Sequence, residues 1–301
     1  MKRSIAIVEC PTNLGLKEPK SGHEPGVKKL PDFLRHFGFH SLLQAAQIAR
    51  LDPAPYSMQL DKVSGVRNAD AINAYAQQQA ILLEQMLVNN HFPIVIGGDC
   101  SILIGNALAL KQRGHYGLFF LDGHTDFMWP SLSQTGGAAG MDLAIVTGHG
   151  HQKLINIHQQ QPYFREEDVY CVGNREYTDW YVDVINKSNI HYFSLDALRE
   201  KGIVQLVEAF LKMVTEKNLD GFWIHIDVDV LNDAIMPAVD SRQDNGLSYE
   251  EFNQIIGLLV AHENACGLNI SILDPELDKE GVYTKEFVRN FCGVINQIGS
   301  S

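Results

Sequence analysis

The sequence predicts an α/β protein in three layers, with helices on both faces of a mainly parallel sheet, and two observations carry that expectation. Apolar runs rich in β-branched and aromatic residues recur at 4–10, 92–97, 116–122, 168–173, 190–194, 221–230 and 267–273, with helical patterns between them. The acidic, chemistry-bearing segments follow directly on these runs. That is where open α/β sheets place their ligand sites.

Taken in order, the first run leads to residues 69–90, where Ile72, Tyr75, Ala76, Leu82, Leu83 and Met86 recur near a 3.6 period and predict an amphipathic helix. Residues 102–112 and 203–217 read as helices in the same way. Ser248, with Glu251 three positions on, forms a capping box that starts a helix before Phe252. The longest irregular stretch is 127–140, with Trp129-Pro130 and the run Gly136-Gly137-Ala138-Ala139-Gly140. Long loops in compact domains are usually functional, so this one is expected to face a substrate.

Composition bounds the function. The 301 residues are 45% hydrophobic and 20% charged, with no linker-like segment or repeat, so residues 1–301 are expected to form one domain. A net charge of −12 with neutral histidines argues against nucleic acid as a partner and bears on a small-molecule substrate, if cationic, only through a favourable long-range field. No run is long and apolar enough for a secretory signal or a membrane span. The five cysteines Cys10, Cys100, Cys171, Cys266 and Cys292 are scattered, which fits reduced thiols and a cytoplasmic location.

Two motifs carry the chemistry: Asp122-Gly123-His124-Thr125-Asp126 and Asp227-Val228-Asp229. If each continues its strand, alternation projects Asp122, His124 and Asp126 to one side, and Asp227 and Asp229 likewise. Either motif alone could be turn chemistry, since Asp bonds its own backbone. Together they bring four carboxylates and an imidazole to two strand ends among apolar residues, where unpaired charge is costly. Such an oxygen-rich set with one imidazole suits two divalent cations of the Mn²⁺ type.

The order Gly97-Gly98-Asp99-Cys100-Ser101, then Asp122 to Asp126, then His225-Ile226-Asp227-Val228-Asp229 resembles the GGDHS, DAHxD and SxDxD motifs of the arginase/agmatinase (ureohydrolase) family. Weaker matches are Pro25-Gly26 through Leu34-Arg35, Cys171-Val172-Gly173-Asn174-Arg175 and Gly246-Leu247-Ser248-Tyr249-Glu250, so the resemblance spans nearly the whole chain. It implies an arginase-like fold, oligomers such as trimers or hexamers, and hydrolysis of a guanidino or amidino C–N bond by water activated between two Mn²⁺ ions. By motif, Asp122 and Asp227 would bridge the ions and His124 and Asp229 would complete one. Asp126 would bind the other and orient the water.

The chain departs from the family at several positions. Cys100 stands where GGDHS has histidine; a thiolate ligand shifts preference toward Zn²⁺, Fe²⁺, Co²⁺ or Ni²⁺, while the bland alternative is a buried structural cysteine. Asp99 is expected to shape the turn, and His225, at the family's serine position, to donate to a ligand. On the substrate side, Met128 falls at a substrate-contacting asparagine, Ala139 at a proton-shuttling histidine and Ile272 at the guanidinium-orienting glutamate. Thr178 falls near an amino-group-binding aspartate. Asp274 or Glu176 could then pair the cation, although Asp274 reads more naturally as a cap before Pro275. His149 and His151 read as loop residues.

These departures argue against a strict arginase and for a hydrolase of another guanidino or amidino compound. Two rivals stand beside that reading. One is a homologue that binds metal but has lost catalysis and serves a regulatory or structural role; the other is an enzyme for a modified substrate such as an N-hydroxyguanidine.

Overall fold

The computed structural model describes residues 4–175 and 178–298. Among these, eight strands form one sheet: β1 (Ile5–Glu9), β2 (Gln47–Arg50), β3 (Phe92–Ile96), β4 (Tyr116–Leu121), β5 (Val169–Asn174), β6 (His191–Ser194), β7 (Gly221–Asp227) and β8 (Ala265–Ser271). Their spatial order is β2-β1-β3-β8-β7-β4-β5-β6, and every pairing is parallel. The three-layer expectation is met.

Period-two alternation divides the sheet between two cores. On β4, Phe119 and Leu121 join Phe210, Phe252 and Phe287 from the helices Ile203–Glu216, Tyr249–Ala261 and Val282–Ile298. Leu118 and Phe120 point the other way, onto Leu83 of Ala69–Val88 and Leu103 of Ile102–Lys111. β7 does the same, with Ile224 and Ile226 in the first core and Trp223 in the second. Each such side chain, fully buried, contributes about 1.5–3 kcal/mol. These layers supply the stability against which the charged strand ends are set. Among the described residues no helix is long and apolar enough to cross a membrane.

Local signals act as the sequence suggests in one case and not in two others. The Ser248–Glu251 capping box forms, with Ser248 Oγ accepting from the Glu251 amide at 3.2 Å and Glu251 Oε2 accepting from the Ser248 amide at 2.8 Å. β2 was not legible, because Gln47-Ile48-Ala49-Arg50 is a four-residue edge strand with little apolar pattern. The run 221–230 is strand only to Asp227; Val228–Val230 is a 3₁₀ turn. β4 likewise stops at Leu121. Asp227 ends β7, while Asp122, His124, Asp126 and Asp229 lie beyond the strands, where turn geometry and not strand alternation aims them.

The strand order matters more for the site than any one element. It sets β3, β8, β7 and β4 side by side, so the segments after Ile96, Ser271, Asp227 and Leu121 converge although they are far apart in sequence. Gly98 makes the first of these segments possible, since a Cβ there would stand 1.6 Å from the Thr12 carbonyl oxygen. That clash is with backbone and cannot be relieved by a rotamer. Gly98→Ala is expected to cost about 3 kcal/mol or more, read as a lowered midpoint in chemical denaturation; an unchanged midpoint would show that the Thr12 backbone yields freely.

Candidate metal centre

The register places Leu121 opposite Ile226 and Asp227 opposite Ser271, so Asp122 and Asp227 emerge at adjacent strand ends. Backbone amides then fix the carboxylates. Asp122 Oδ1 accepts from the His124 amide at 2.6 Å, Asp227 Oδ1 from the Asp229 amide at 2.8 Å, and Asp229 Oδ1 from the Gly123 amide at 3.0 Å. The last of these bonds ties the two motifs to each other. The outward oxygen of Asp229 lies 2.8 Å from His124 Nδ1, which is also 3.8 Å from Asp122 Oδ1.

Ligand-type atoms gather into three groups among the described residues: Cys100, Asp142 and His225 make up one, and the other two share Asp122. Of these two, Asp122, His124 and Asp229 form the first and Cys100, Asp122 and Asp227 the second, with the atoms of each within 4.8 Å of one another. Both fit a divalent cation: the first is oxygen and imidazole, the second oxygen and sulfur. Asp122 Oδ2, fully buried, has no hydrogen-bond partner among the described residues, the state of an oxygen that awaits a cation. Asp126, held at φ 43°, belongs to neither group and lines the pocket beside them.

Electrostatics make the same point. Burial pushes the carboxyls of Asp122, Asp126 and Asp227 up, and the neighbouring carboxylates push them further. Asp229 is the exception: burial works against its charge, but His124 holds its carboxyl below the usual range. The Cys100 thiol is raised well above its ordinary value by burial and then by Asp227. It is a protonated donor here, 3.0 Å from Asp227 Oδ2 and 3.0 Å from Ser271 Oγ. A cation would have to displace that proton to gain a thiolate ligand.

Behind the ligands lies a buried polar layer that sequence reading found only in part. Trp223 Nε1 donates to Asn269 Oδ1 at 2.8 Å, which leaves the Asn269 amide group to donate to His225 Nδ1 at 2.9 Å. An imidazole that accepts at Nδ1 must carry its proton on Nε2. His225 Nε2 accordingly faces Asp122 Oδ2 at 3.7 Å and Asp142 Oδ2 at 3.9 Å, and its ring stacks on Phe120. His225 thus faces Asp122 from the side that its position suggested, but beyond hydrogen-bond distance. Asp142 went unnoticed because nothing in Gly140-Met141-Asp142-Leu143 signals that the side chain turns inward.

The pocket over these groups encloses about 450 Å³. Met128, Ala139 and Ile272 line it together with Cys100, His124, Asp126, Asp227, Asp229, Tyr181 and Asp240. Ile272 has φ 75°, which a β-branched residue adopts only at a cost of about 1–3 kcal/mol. Thr178 does not line the pocket; it is exposed at the N-terminus of the helix Asp179–Ile185, whose Tyr181 does. Asp274 caps the turn, accepting from the amides of Gly26 at 2.9 Å and Glu276 at 2.8 Å, and Asp99 likewise accepts from the Ser101 amide at 2.9 Å. Glu176 lies outside the described residues. His149 pairs with Glu166 and stacks on Trp129, and His151 caps the helix Gln152–Ile155, so both act in loop structure.

Comparison with known proteins bears on this arrangement. Residues 3–294 match the model of the Arginase family. The arginase of Staphylococcus aureus (strain MRSA252) is 26% identical over 285 residues, covering 92% of each chain. In structure, the arginase of Bacillus caldovelox superposes with a TM-score of 0.86 at 23% identity over 98% of both chains. Formimidoylglutamase from Bacillus subtilis subsp. subtilis str. 168 has a TM-score of 0.72 at 19% identity, covering 98% of this chain and 87% of that one.

The raised carboxyls make the apoprotein pH-sensitive. Between the ordinary Asp value of 3.8 and their raised values, Asp122, Asp126 and Asp227 hold more protons folded than unfolded. Stability contributed by their protonation is therefore present at low pH and lost as pH rises through the folded values. The metal-free protein should melt lower at pH 8 than at pH 5.5, and Mn²⁺ should raise the melting temperature more at pH 8. Equal melting temperatures with no metal response would contradict the assignment. Asp122→Asn and Asp227→Asn should raise the melting temperature of the metal-free protein, with binding weakened in both ligand groups by the first and in the Cys100 group by the second, measured by elemental analysis after dialysis.

Proposed function

The chain belongs to the arginase family, hydrolases of C–N bonds outside peptides, and on that premise we propose that it is a two-metal hydrolase of a guanidino, amidino or related compound other than L-arginine. The observation that carries this reading is the sharing of buried Asp122 between the two ligand groups. Divalent cations held there would lower the pKa of a coordinated water and orient it.

The chain's own residues then have distinct roles. Asp122 would serve both cations, Asp227 and Cys100 would hold one of them, and His124 and Asp229 would hold the other, although the family resemblance would also give Asp227 a place between the two. Asp126, beside them in the pocket, orients the attacking water and accepts its proton. Water oxygen adds to the amidino carbon, and the C–N bond breaks as the leaving nitrogen takes up a proton. Because Cys100 offers sulfur, Zn²⁺, Fe²⁺, Co²⁺ or Ni²⁺ competes with Mn²⁺ for the second position.

The walls argue against L-arginine. Met128 and Ile272 are apolar and Ala139 is a methyl group, so three lining positions offer no hydrogen bond to a guanidinium or to an α-carboxylate. Losing such partners costs specificity on the order of 10⁴.

Two outcomes test this. Metal-loaded protein assayed for urea and ammonia release over guanidino, amidino and formimidoyl compounds should turn over at least one of them, with kcat/KM for L-arginine below about 10⁴ M⁻¹s⁻¹. Efficient urea release from L-arginine would overturn the specificity assignment, and bound metal without turnover of any compound would favour the regulatory rival. For Cys100→His, Mn²⁺ retention should increase relative to Zn²⁺; an unchanged preference would make Cys100 structural.

A further inference from the structure

The pocket that holds no polar group at Ile272 does hold a carboxylate elsewhere. Four aspartates line it: Asp126, Asp227, Asp229 and Asp240. Asp227 and Asp229 belong to the ligand groups and Asp126 stands directly beside them in the motif that supplies Asp122 and His124. Asp240 is in neither group and comes from a different segment, the loop that follows Met236. We propose that Asp240 is the residue that pairs with the cationic amidinium or guanidinium end of the substrate, taking over a role that Ile272 cannot perform.

Three observations support this assignment, which rests on the pocket being the active site. First, Asp240 forms no ion pair with Lys, Arg or His among the described residues, although its side chain is open to the pocket. The cation nearest in sequence, Arg242, is committed elsewhere: its Nε and Nη2 contact the Asp233 carboxylate at 2.6 and 2.7 Å. The Asp240 carboxylate is steadied by the backbone amides of Asp240 and Ser241, and with no cationic side chain paired to it among the described residues it can take the planar cation of a substrate.

Second, the loop that presents it is fixed at both ends. The Asp274 amide donates to the Ala238 carbonyl at 2.8 Å, two residues before Asp240. Arg175 Nη2 donates to the Gln243 carbonyl at 3.4 Å, three residues after it, while the same guanidinium binds the Asp229 and Val230 carbonyls at 2.7 and 3.1 Å. One arginine thus ties the loop of Asp240 to the backbone of a candidate metal ligand. Such preorganisation is what a substrate-orienting carboxylate requires.

Third, the other carboxylate near the strand end is already used. Asp274 spends both oxygens on the Gly26 and Glu276 amides and does not line the pocket. Asp240 lines the same pocket as His124, Asp229, Asp227 and Cys100, so a cation held there would lie in the cavity that the candidate metal groups face. The substrate class is then a planar cation that offers paired N–H donors to one carboxylate.

The test uses full-length protein loaded with Mn²⁺ and guanidinium chloride as the probe, with sodium chloride at equal ionic strength as the control. Guanidinium should bind in calorimetry and inhibit competitively any amidino substrate that turns over. Asp240→Asn should weaken guanidinium binding at least tenfold and raise KM for a cationic substrate at least tenfold, with metal content unchanged and kcat changed less. Asp240→Glu should restore part of the binding. Guanidinium binding that is absent in the wild type, or equal in Asp240→Asn, overturns the proposal. Loss of metal from Asp240→Asn also overturns it, since Asp240 would then be a ligand. Guanidinium binding that depends on Asp240 in a protein with no turnover would uphold the proposal while rejecting the hydrolase.

Discussion

The structure is organised around electrostatic repulsion among carboxylates held at the ends of four adjacent parallel strands. Asp122 and Asp227 are buried and held by the amides of the turns that follow them, and Asp126 lines the pocket beside them. Isolated buried charges of this kind are costly enough to shift their own protonation, and here they do. Among the described residues no lysine or arginine pairs with these carboxylates. The arrangement makes physical sense as a socket for divalent cations, which supply the missing positive charge and convert repulsion into coordination.

The surrounding fold can be understood as what holds that socket in place. Two apolar cores clamp the sheet, so that β3, β8, β7 and β4 cannot spread under the charge at their ends. Behind the ligands, the Trp223–Asn269–His225 chain sets one imidazole proton toward Asp122. Because Trp223 can only donate, its direction propagates through Asn269 and decides the tautomer of His225. Side chains that never meet substrate therefore determine how Asp122 is presented.

Much of this was legible in sequence, for identifiable reasons. Alternation of apolar runs and helical patterns gave the layers, and the motifs gave Asp122, His124, Asp227, Asp229 and Cys100, which the structure gathers into two groups. The mode of presentation was not legible. Strand alternation predicts the aim of these side chains, whereas 3₁₀ and turn backbone after Leu121 and Asp227 sets it. Asp142 and Asp240 were missed altogether, since each sits in a segment without periodicity and acquires meaning only from what it faces. Thr178, placed by counting along the chain, stands outside the pocket, and Tyr181 one helical turn on lines it.

The account stands or falls on where cations bind. Crystals of the protein soaked with Mn²⁺ and measured by anomalous diffraction near the manganese edge should show two peaks, one among Asp122, His124 and Asp229 and one among Cys100, Asp122 and Asp227. Asp122 should coordinate both. A site that stays empty at saturating Mn²⁺, or ions that bind without contacting Asp122, would contradict the claim that these carboxylates are a metal socket.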